Sequence, residues 1–214
     1  MSGYAFRLSG ETLVACGSGA LWWPERRVLT VSDLHLGRSG RFARRGGALL
    51  PPYETDATLE RLETEIARLD PAMVICLGDS FDDDAAAGEL AEAHRNWLLR
   101  MMAGRDWLWI AGNHDPAPEG LAGSLRVEMR IGGLVFRHIA APGAAGEVSG
   151  HYHPKARLAG RVRPCFLANA GRVILPAFGT YTGGLECRDP AFSALMQPPA
   201  MAILTGREPI PLPL

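Results

Sequence analysis

The sequence predicts an α/β protein in which two β-sheets pack against each other and helices lie outside them. In the first half of the chain, buried-strand patterns alternate with amphipathic helix patterns. In the second half, short apolar runs are joined by glycine-containing turns, which is typical of hairpins. The chain has 214 residues, 47% of them hydrophobic, enough for one substantial core. We therefore expect a single domain over residues 1–214.

Apolar periodicity defines the elements of the first half. Helices are predicted at residues 55–69 and 88–102, where apolar side chains recur at helical spacing and charged ones lie between them. Short apolar runs bounded by turn residues predict strands. These strands are expected at residues 12–16, 20–23, 28–31, 72–76 and 107–111.

The second half is predicted to be mostly β-structure. Residues 125–131 and 135–139 are joined by Gly132 and Gly133, a hairpin signal. Residues 165–168 and 172–175 flank a second turn, and residues 201–205 form a late strand. The chain ends with proline at every second position, a pattern that excludes helix.

Composition narrows the classes of function. The formal net charge of −1 gives no global attraction to polyanions, so nucleic-acid binding would depend on local basic surface or bound metal. No apolar run reaches membrane-spanning length, and residues 1–11 have no signal-peptide core. The four cysteines lack Cys-x-x-Cys spacing and are typical of free thiols in a reducing compartment. These features predict a cytoplasmic protein without a membrane partner.

Each cluster of Asp, Asn or His lies just past, or at the end of, a predicted strand. Five of the six histidines fall in these clusters, and the remaining one, His94, is assigned no chemistry. A capping Asp or a turn Asn explains each residue singly, but such clustering favours metal ligands. The candidate ligands are Asp33, His35, Asp79, Asn113, His138, His151 and His153.

The spacing of these candidate ligands in the sequence suggests how they are shared between two metal ions. Two cations about 3.5–4 Å apart need a bridging anion, and Asp79 is the candidate. Asp33 and His35 are two residues apart, so in an extended segment both side chains would point the same way and share one metal. His151 and His153 have the same spacing, and Gly150 before them permits close backbone approach.

The ordered motifs Asp-x-His, Gly-Asp-x-x-Asp, Gly-Asn-His-Asp, a lone His and Gly-His-x-His resemble those of the calcineurin-like metallophosphoesterases. The resemblance implies a four-layer αββα fold in which metal-activated hydroxide attacks a phosphate ester. It implies two sets of metal ligands that share Asp79. The first set is Asp33, His35, Asp79 and His153; the second is Asp79, Asn113, His138 and His151.

The same resemblance assigns further roles. His114 would protonate the leaving oxygen or stabilise the transition state, and Asp82 would orient it, with Asp115 as the alternative. Carboxylate, amide and imidazole ligands suit two divalent ions, Mn²⁺ or iron, with Zn²⁺ or Ni²⁺ as alternatives.

A narrower likeness covers most of the chain. Residues 50–53, 77–81, 163–166, 175–179 and 181–185 look like those of bacterial ligase-associated DNA damage response endonucleases. That family implies DNA as substrate and functional association with a DNA ligase, a helicase and an exonuclease-like protein. Position 82 departs from this subgroup, which often has His where this chain has Asp82.

Arginines cluster near the predicted ligands. Arg38, Arg41, Arg44 and Arg45 follow His35, and others follow His153. Solvated surface charge would explain each one singly, but loops beside a phosphoesterase site can grip neighbouring phosphates of a strand. The sequence thus predicts a DNA phosphodiesterase, an endonuclease of DNA repair. The alternatives are a small-molecule phosphoesterase and a non-catalytic scaffold of the same fold.

Overall fold

The structure is a computed structural model that describes residues 2–39, 53–82, 86, 88–113 and 121–214. Its first sheet has seven strands arranged in the order in which they occur along the chain. The first four strands pair antiparallel, whereas the last four run parallel to one another. The strands are β1 (Gly3–Leu8), β2 (Glu11–Cys16), β3 (Leu21–Trp23), β4 (Val28–Val31), β5 (Met73–Leu77), β6 (Asp106–Ile110) and β7 (Ser124–Arg126).

The second sheet is also mixed. Its strands are β8 (Glu128–Ile131), β9 (Leu134–Arg137), β10 (Glu147–Ser149), β11 (Lys155–Leu158), β12 (Arg161–Asn169), β13 (Arg172–Ile174), β14 (Ala200–Leu204) and β15 (Ile210–Pro213). The spatial order is β15-β14-β12-β13-β10-β9-β8, and β11 pairs with β12. Strand β10 runs parallel to both β9 and β13, and the remaining pairs are antiparallel.

Helices α1 (Glu54–Leu69) and α2 (Glu92–Met102) cover the outer face of the first sheet. Side chains of a strand alternate between the two faces of its sheet, and β5 shows the consequence. Val74 and Cys76 pack in the core beneath the helices, while Ile75 and Leu77 pack in the core between the sheets. The sequence of a strand that is buried on both faces is a continuous run of apolar residues, and this pattern predicted β5.

A third core covers the outer face of the second sheet. There, Phe192 and Leu195 pack with Leu167 and Ala202. Among the described residues this outer layer contains a single 3-10 turn, Pro190–Phe192, where the first sheet has α-helices. A similar turn, Pro24–Arg26, joins β3 to β4. The predicted α/β class with two packed mixed sheets is confirmed.

One strand prediction is wrong. Residues 125–131 were expected to form one strand, but the chain leaves the first sheet after β7 and enters the second at β8. Val127 lies between them with 80% of its surface exposed. The polar and apolar pattern continues through this crossing, so periodicity cannot reveal it.

The other differences between the predicted and observed elements lie at the ends of elements and in strands whose apolar pattern is weak. Helix α2 begins at Glu92, later than predicted, while Leu90 before it is still buried. Strands β1, β10 and β11 were not predicted, and the proline-spaced end forms the edge strand β15. An edge strand tolerates proline because one row of its N–H groups has no partner strand. No helix in the described parts of the chain has both the length and the apolar character needed to cross a membrane.

Candidate metal centre

The predicted ligands all follow the carboxyl ends of parallel strands. In the first sheet, Asp33 and His35 follow β4, Asp79 follows β5 and Asn113 follows β6. In the second sheet, His138 follows β9, and His151 and His153 follow β10. Ligand sites of α/β proteins lie at this end of a parallel sheet, and here two sheets contribute to one site.

The side chains form two groups, each within metal-binding reach. The potential ligand atoms of Asp33, His35 and His153 lie within 4.8 Å of one another, and so do those of Asp79, His138 and His151. Each group combines residues from both sheets. The structure thus brings His153 together with Asp33 and His35, and His151 together with Asp79 and His138, while the ligand roles stay predictions. The two groups fit a dinuclear metal site, while the role of Asp79 as a bridge stays a prediction.

Hydrogen bonds hold Asp33 at the centre of the first group. The side chain is fully buried, and its Oδ1 lies 3.1 Å from His153 Nε2. Its Oδ2 accepts hydrogen bonds from the backbone N–H of His151, at 2.9 Å, and from the hydroxyl of Ser32. The rings of His35 and His153 meet edge to face with centroids 5.3 Å apart. Asp33 therefore links β4 to the loop that carries both late histidines.

His138 is oriented in the second group by the backbone. Its Nδ1 lies 2.9 Å from the carbonyl oxygen of Leu77, which accepts only, so Nδ1 carries the proton. Its Nε2 faces Asn113 Oδ1 at 2.9 Å, His151 Nδ1 at 3.2 Å and Asp79 Oδ1 at 3.5 Å. A backbone partner that fixes the tautomer and ring orientation is typical of metal-ligating histidines. Asn113 therefore lies with the second group, as predicted.

The electrostatics of the site favour bound positive charge. Burial by itself would raise the pKa of Asp33, but His153, His138 and the Ser32 hydroxyl outweigh burial and hold that pKa below its ordinary value. Burial would lower the pKa of His138, but Asp79 and Asp33 raise it above the ordinary value. The two carboxylates thus stabilise cations at this position.

A buried polar atom at the site supports metal binding directly. His35 Nε2 is buried and, within the described residues, has no hydrogen-bond partner. Leaving such an atom unsatisfied costs about 1–3 kcal/mol, and a bound cation would remove that cost. Carboxylate, amide and imidazole donors without thiolate suit Mn²⁺, iron, Zn²⁺ or Ni²⁺. The residues present therefore fit two divalent ions.

The backbone at the ligands is strained. Asp33, His35, Asp79, His151 and His153 all have positive φ, between 44° and 72°. This left-handed conformation costs a non-glycine residue roughly 1–2 kcal/mol, and such strain clusters at functional sites. The expectation that Asp33 and His35 lie in an extended segment is therefore wrong. Sharp turns bring them together, and β-strand alternation is not the cause.

Two glycines allow this close packing. A Cβ on Gly78, which has φ of 69°, would overlap the imidazole of His138. A Cβ on Gly150 would overlap the Ser32 hydroxyl and the Asp33 carboxylate. Gly150 thus permits the close backbone approach expected of it. Ser32 is a site residue that the sequence analysis missed, although its position directly before Asp33 is a local signal.

Asp82 lies against a predicted ligand. It is fully buried, and its Oδ1 is 3.1 Å from His35 Nδ1. Arg38, whose side chain is 19% exposed, directs its guanidinium to the same oxygen at 3.5 Å. A carboxylate beside a histidine that is a candidate metal ligand holds the orientation of its ring. The structure thus gives Asp82 a contact with the first group and Arg38 a contact with Asp82, neither of which was anticipated. Their predicted roles toward His114 and substrate stay predictions.

Several predicted residues lie outside the described part of the chain. They are His114, Asp115, Arg41, Arg44 and Arg45. The histidine excluded from the site, His94, lies with its Nε2 2.8 Å from Asp56 Oδ1 and so joins α2 to α1. That contact accounts for His94 without any chemistry.

The family model of the calcineurin-like phosphoesterases matches residues 26–168, which include every predicted ligand. The chain therefore belongs to the calcineurin-like phosphoesterase family and is a metal-dependent phosphoesterase, a hydrolase of ester bonds. Its structure is similar to the crystal structure of Pseudomonas putida nuclease MPE, with a TM-score of 0.77 and 28% sequence identity. The similarity covers 99% of this chain and 100% of the nuclease chain. A comparison with curated proteins found no significant match.

Proposed function

We propose that the protein is a phosphodiesterase that cuts DNA internally and acts in DNA repair. The observation that carries this proposal is the pair of Asp and His groups, drawn from both sheets of a chain that resembles a nuclease over nearly its whole length. A nuclease needs to polarise a phosphodiester and to deliver a nucleophile in line with the leaving oxygen. Two adjacent cation sites suit this displacement.

When bound, two divalent ions would supply a nucleophile at neutral pH and offset the charge that develops on phosphorus. We assign Asp33, His35 and His153 to the first ion and Asn113, His138 and His151 to the second. Asp79 belongs to the second group and would also bridge to the ion of the first group. Mn²⁺ is the ion we propose, with iron, Zn²⁺ and Ni²⁺ as the competitors to be tested.

His114 is proposed as the general acid, because it directly follows the ligand Asn113 in the sequence. General acid catalysis is typically worth about 10²–10⁴-fold in rate. His114→Ala should therefore slow DNA cleavage strongly and nitrophenyl ester hydrolysis much less, since nitrophenolate leaves without protonation. His94→Ala, which removes a histidine engaged with Asp56, serves as the matched control.

The proposed function is tested by supplying single-stranded DNA, duplex DNA, RNA and mononucleotide esters in parallel with each metal. Internal cuts in DNA that need added metal and disappear in Asp79→Asn are the expected result. Hydrolysis of mononucleotide esters without cleavage of DNA would refute the nuclease proposal and indicate a small-molecule phosphoesterase. Retention of DNA cleavage after complete metal removal would refute the role assigned to the two groups.

The loop arginines are proposed to hold the DNA backbone. Changing Arg41, Arg44 and Arg45 to Ala should weaken DNA cleavage and reduce its dependence on salt, because fewer counterions are released on binding. A control variant replaces three exposed arginines from other parts of the chain, Arg26, Arg100 and Arg207. Equal losses in the two variants would show that general surface charge accounts for the effect.

Two further proposals come from the sequence analysis. One is functional association with a DNA ligase, a helicase and an exonuclease-like protein. The other is that the 214 residues act as one domain, which the contribution of both sheets to each ligand group supports. Co-purification of the tagged protein with a DNA ligase tests the first, and limited proteolysis that yields no stable fragment tests the second.

A further inference from the structure

A cavity of about 310 Å³ opens beside the second ligand group. Its lining includes the predicted ligands Asn113 and His138 together with Val127, Arg137 and Ile139. Its volume lies near the lower end of the range for small-molecule sites, about 300–1,000 Å³. Any group bound there would lie directly against the metal centre.

One wall of the cavity is apolar and exposed. Val127 is 80% exposed and Ile139 is 44% exposed. Single exposed aliphatic residues are normal on protein surfaces, but these two come from different parts of the chain and line the same cavity. Val127 lies in the crossing between the sheets, and Ile139 directly follows His138. This wall offers branched aliphatic surface against which a flat ring can pack.

On the charged wall of the cavity, an arginine is paired with carboxylates. Arg137 lies 2.8 Å from Glu128 Oε2 and 3.7 Å from Glu147 Oε2, so one guanidinium lies between two carboxylates. Glu128 also lines the cavity. Within the described residues, the guanidinium that lines this wall is already paired with carboxylates, so the wall suits a neutral polar group, to which Arg137, Glu128 and Asn113 offer donors and acceptors, better than a second phosphate. An uncharged, flat group with polar edges is the best match.

We propose that this cavity binds the nucleobase of the nucleotide next to the phosphodiester that is cut. The proposal rests on the proposed function, because it assumes that a nucleotide phosphate lies at the metal centre. Bound there, the phosphate would place its own nucleoside within reach of the cavity that Asn113 and His138 border. The cavity would thus add affinity for nucleotides over other phosphate esters, through contacts that tolerate any base.

The test measures binding, and not turnover, by titration calorimetry of the manganese-loaded protein. The ligands are thymidine 5′-monophosphate, thymidine 3′-monophosphate and, as the ligand without a base, methyl phosphate. We expect at least one thymidine ester to bind about tenfold tighter than methyl phosphate, since burying apolar surface of the base against the aliphatic wall is favourable.

The double variant Val127→Ser with Ile139→Ser should lose most of the difference in affinity between thymidine esters and methyl phosphate. Val162→Ser is the matched control, because Val162 is 41% exposed and does not line this cavity. Melting temperatures of all variants are recorded to show that they are folded. An equal preference for thymidine esters in the double variant and in the control would overturn the proposal, and so would the lack of any preference in the unaltered protein.

The two proposals fail in different ways. If thymidine esters bind through Val127 and Ile139 but DNA is not cleaved, the base site stands and the nuclease proposal falls. If DNA is cleaved but the double variant binds thymidine esters as the control does, the nuclease proposal stands and the base site falls.

Discussion

Glu147 carries a buried negative charge in the second sheet, and Glu147→Gln would remove that charge with little change in shape. Glu147 is fully buried at the start of β10, with Oε1 3.1 Å from Nη1 of Arg172, which is only 3% exposed. Its Oε2 accepts a hydrogen bond from the N–H of Ala141 at 2.8 Å and lies 3.7 Å from Arg137 Nε. Glutamine could keep the Ala141 bond, but Arg172 would lose its buried counter-ion.

Leaving a buried charge without its partner costs about 3–5 kcal/mol. For a chain of this size, that corresponds to a fall in melting temperature of about 6–20 °C. Glu128→Gln is the matched control, because Glu128 pairs with the same Arg137 at 2.8 Å but its side chain is 43% exposed. An exposed pair is worth only about 0–1 kcal/mol.

The assay is thermal unfolding of the unaltered protein and the variants at one pH and one salt concentration. The double variant Glu147→Met with Arg172→Met should recover much of the loss, since it removes both buried charges together. Equal melting temperatures for Glu147→Gln and Glu128→Gln would refute the reasoning, and so would a double variant less stable than Glu147→Gln.

Three further predictions concern the metal centre and the thiols. Asp79→Asn should bind fewer than two metals per chain by elemental analysis, because it removes the proposed bridging anion; two bound metals would contradict the bridge. Gly150→Ala should lose metal affinity, since its Cβ would overlap the Asp33 carboxylate, whereas Gly183→Ala, with open space at its Cβ, should bind metal normally. Burial and the nearby Glu65 raise the pKa of Cys16 to about 11, so native Cys16 should resist iodoacetamide at pH 8 and react after unfolding. In the unfolded chain this thiol ionises as the pH rises through its ordinary pKa, whereas in the native protein it stays protonated. The free energy of unfolding should therefore fall as the pH rises through that range. Rapid native labelling of Cys16 would contradict its burial.

Much of the candidate site could be predicted because each ligand lies just after its strand. An apolar run followed by Asp, Asn or His is a local pattern, and the end of a parallel strand is where such residues meet. Strand β5 and Asp79 show this best, since the run and the ligand are contiguous in the sequence.

The sequence by itself determined most of the elements and the kinds of candidate ligand, because helical and strand periodicity and residue chemistry are local properties. Only the tertiary structure decided which ligands meet. The N–H of His151 reaches Asp33 across 118 positions because the second sheet packs on the first. The contact of Asp82 with His35 depends on the parallel pairing of β4 with β5, and the crossing at Val127 carries the chain from one sheet to the other. Local periodicity carries no information about such packing, because it records which face of an element is buried and not what lies against it.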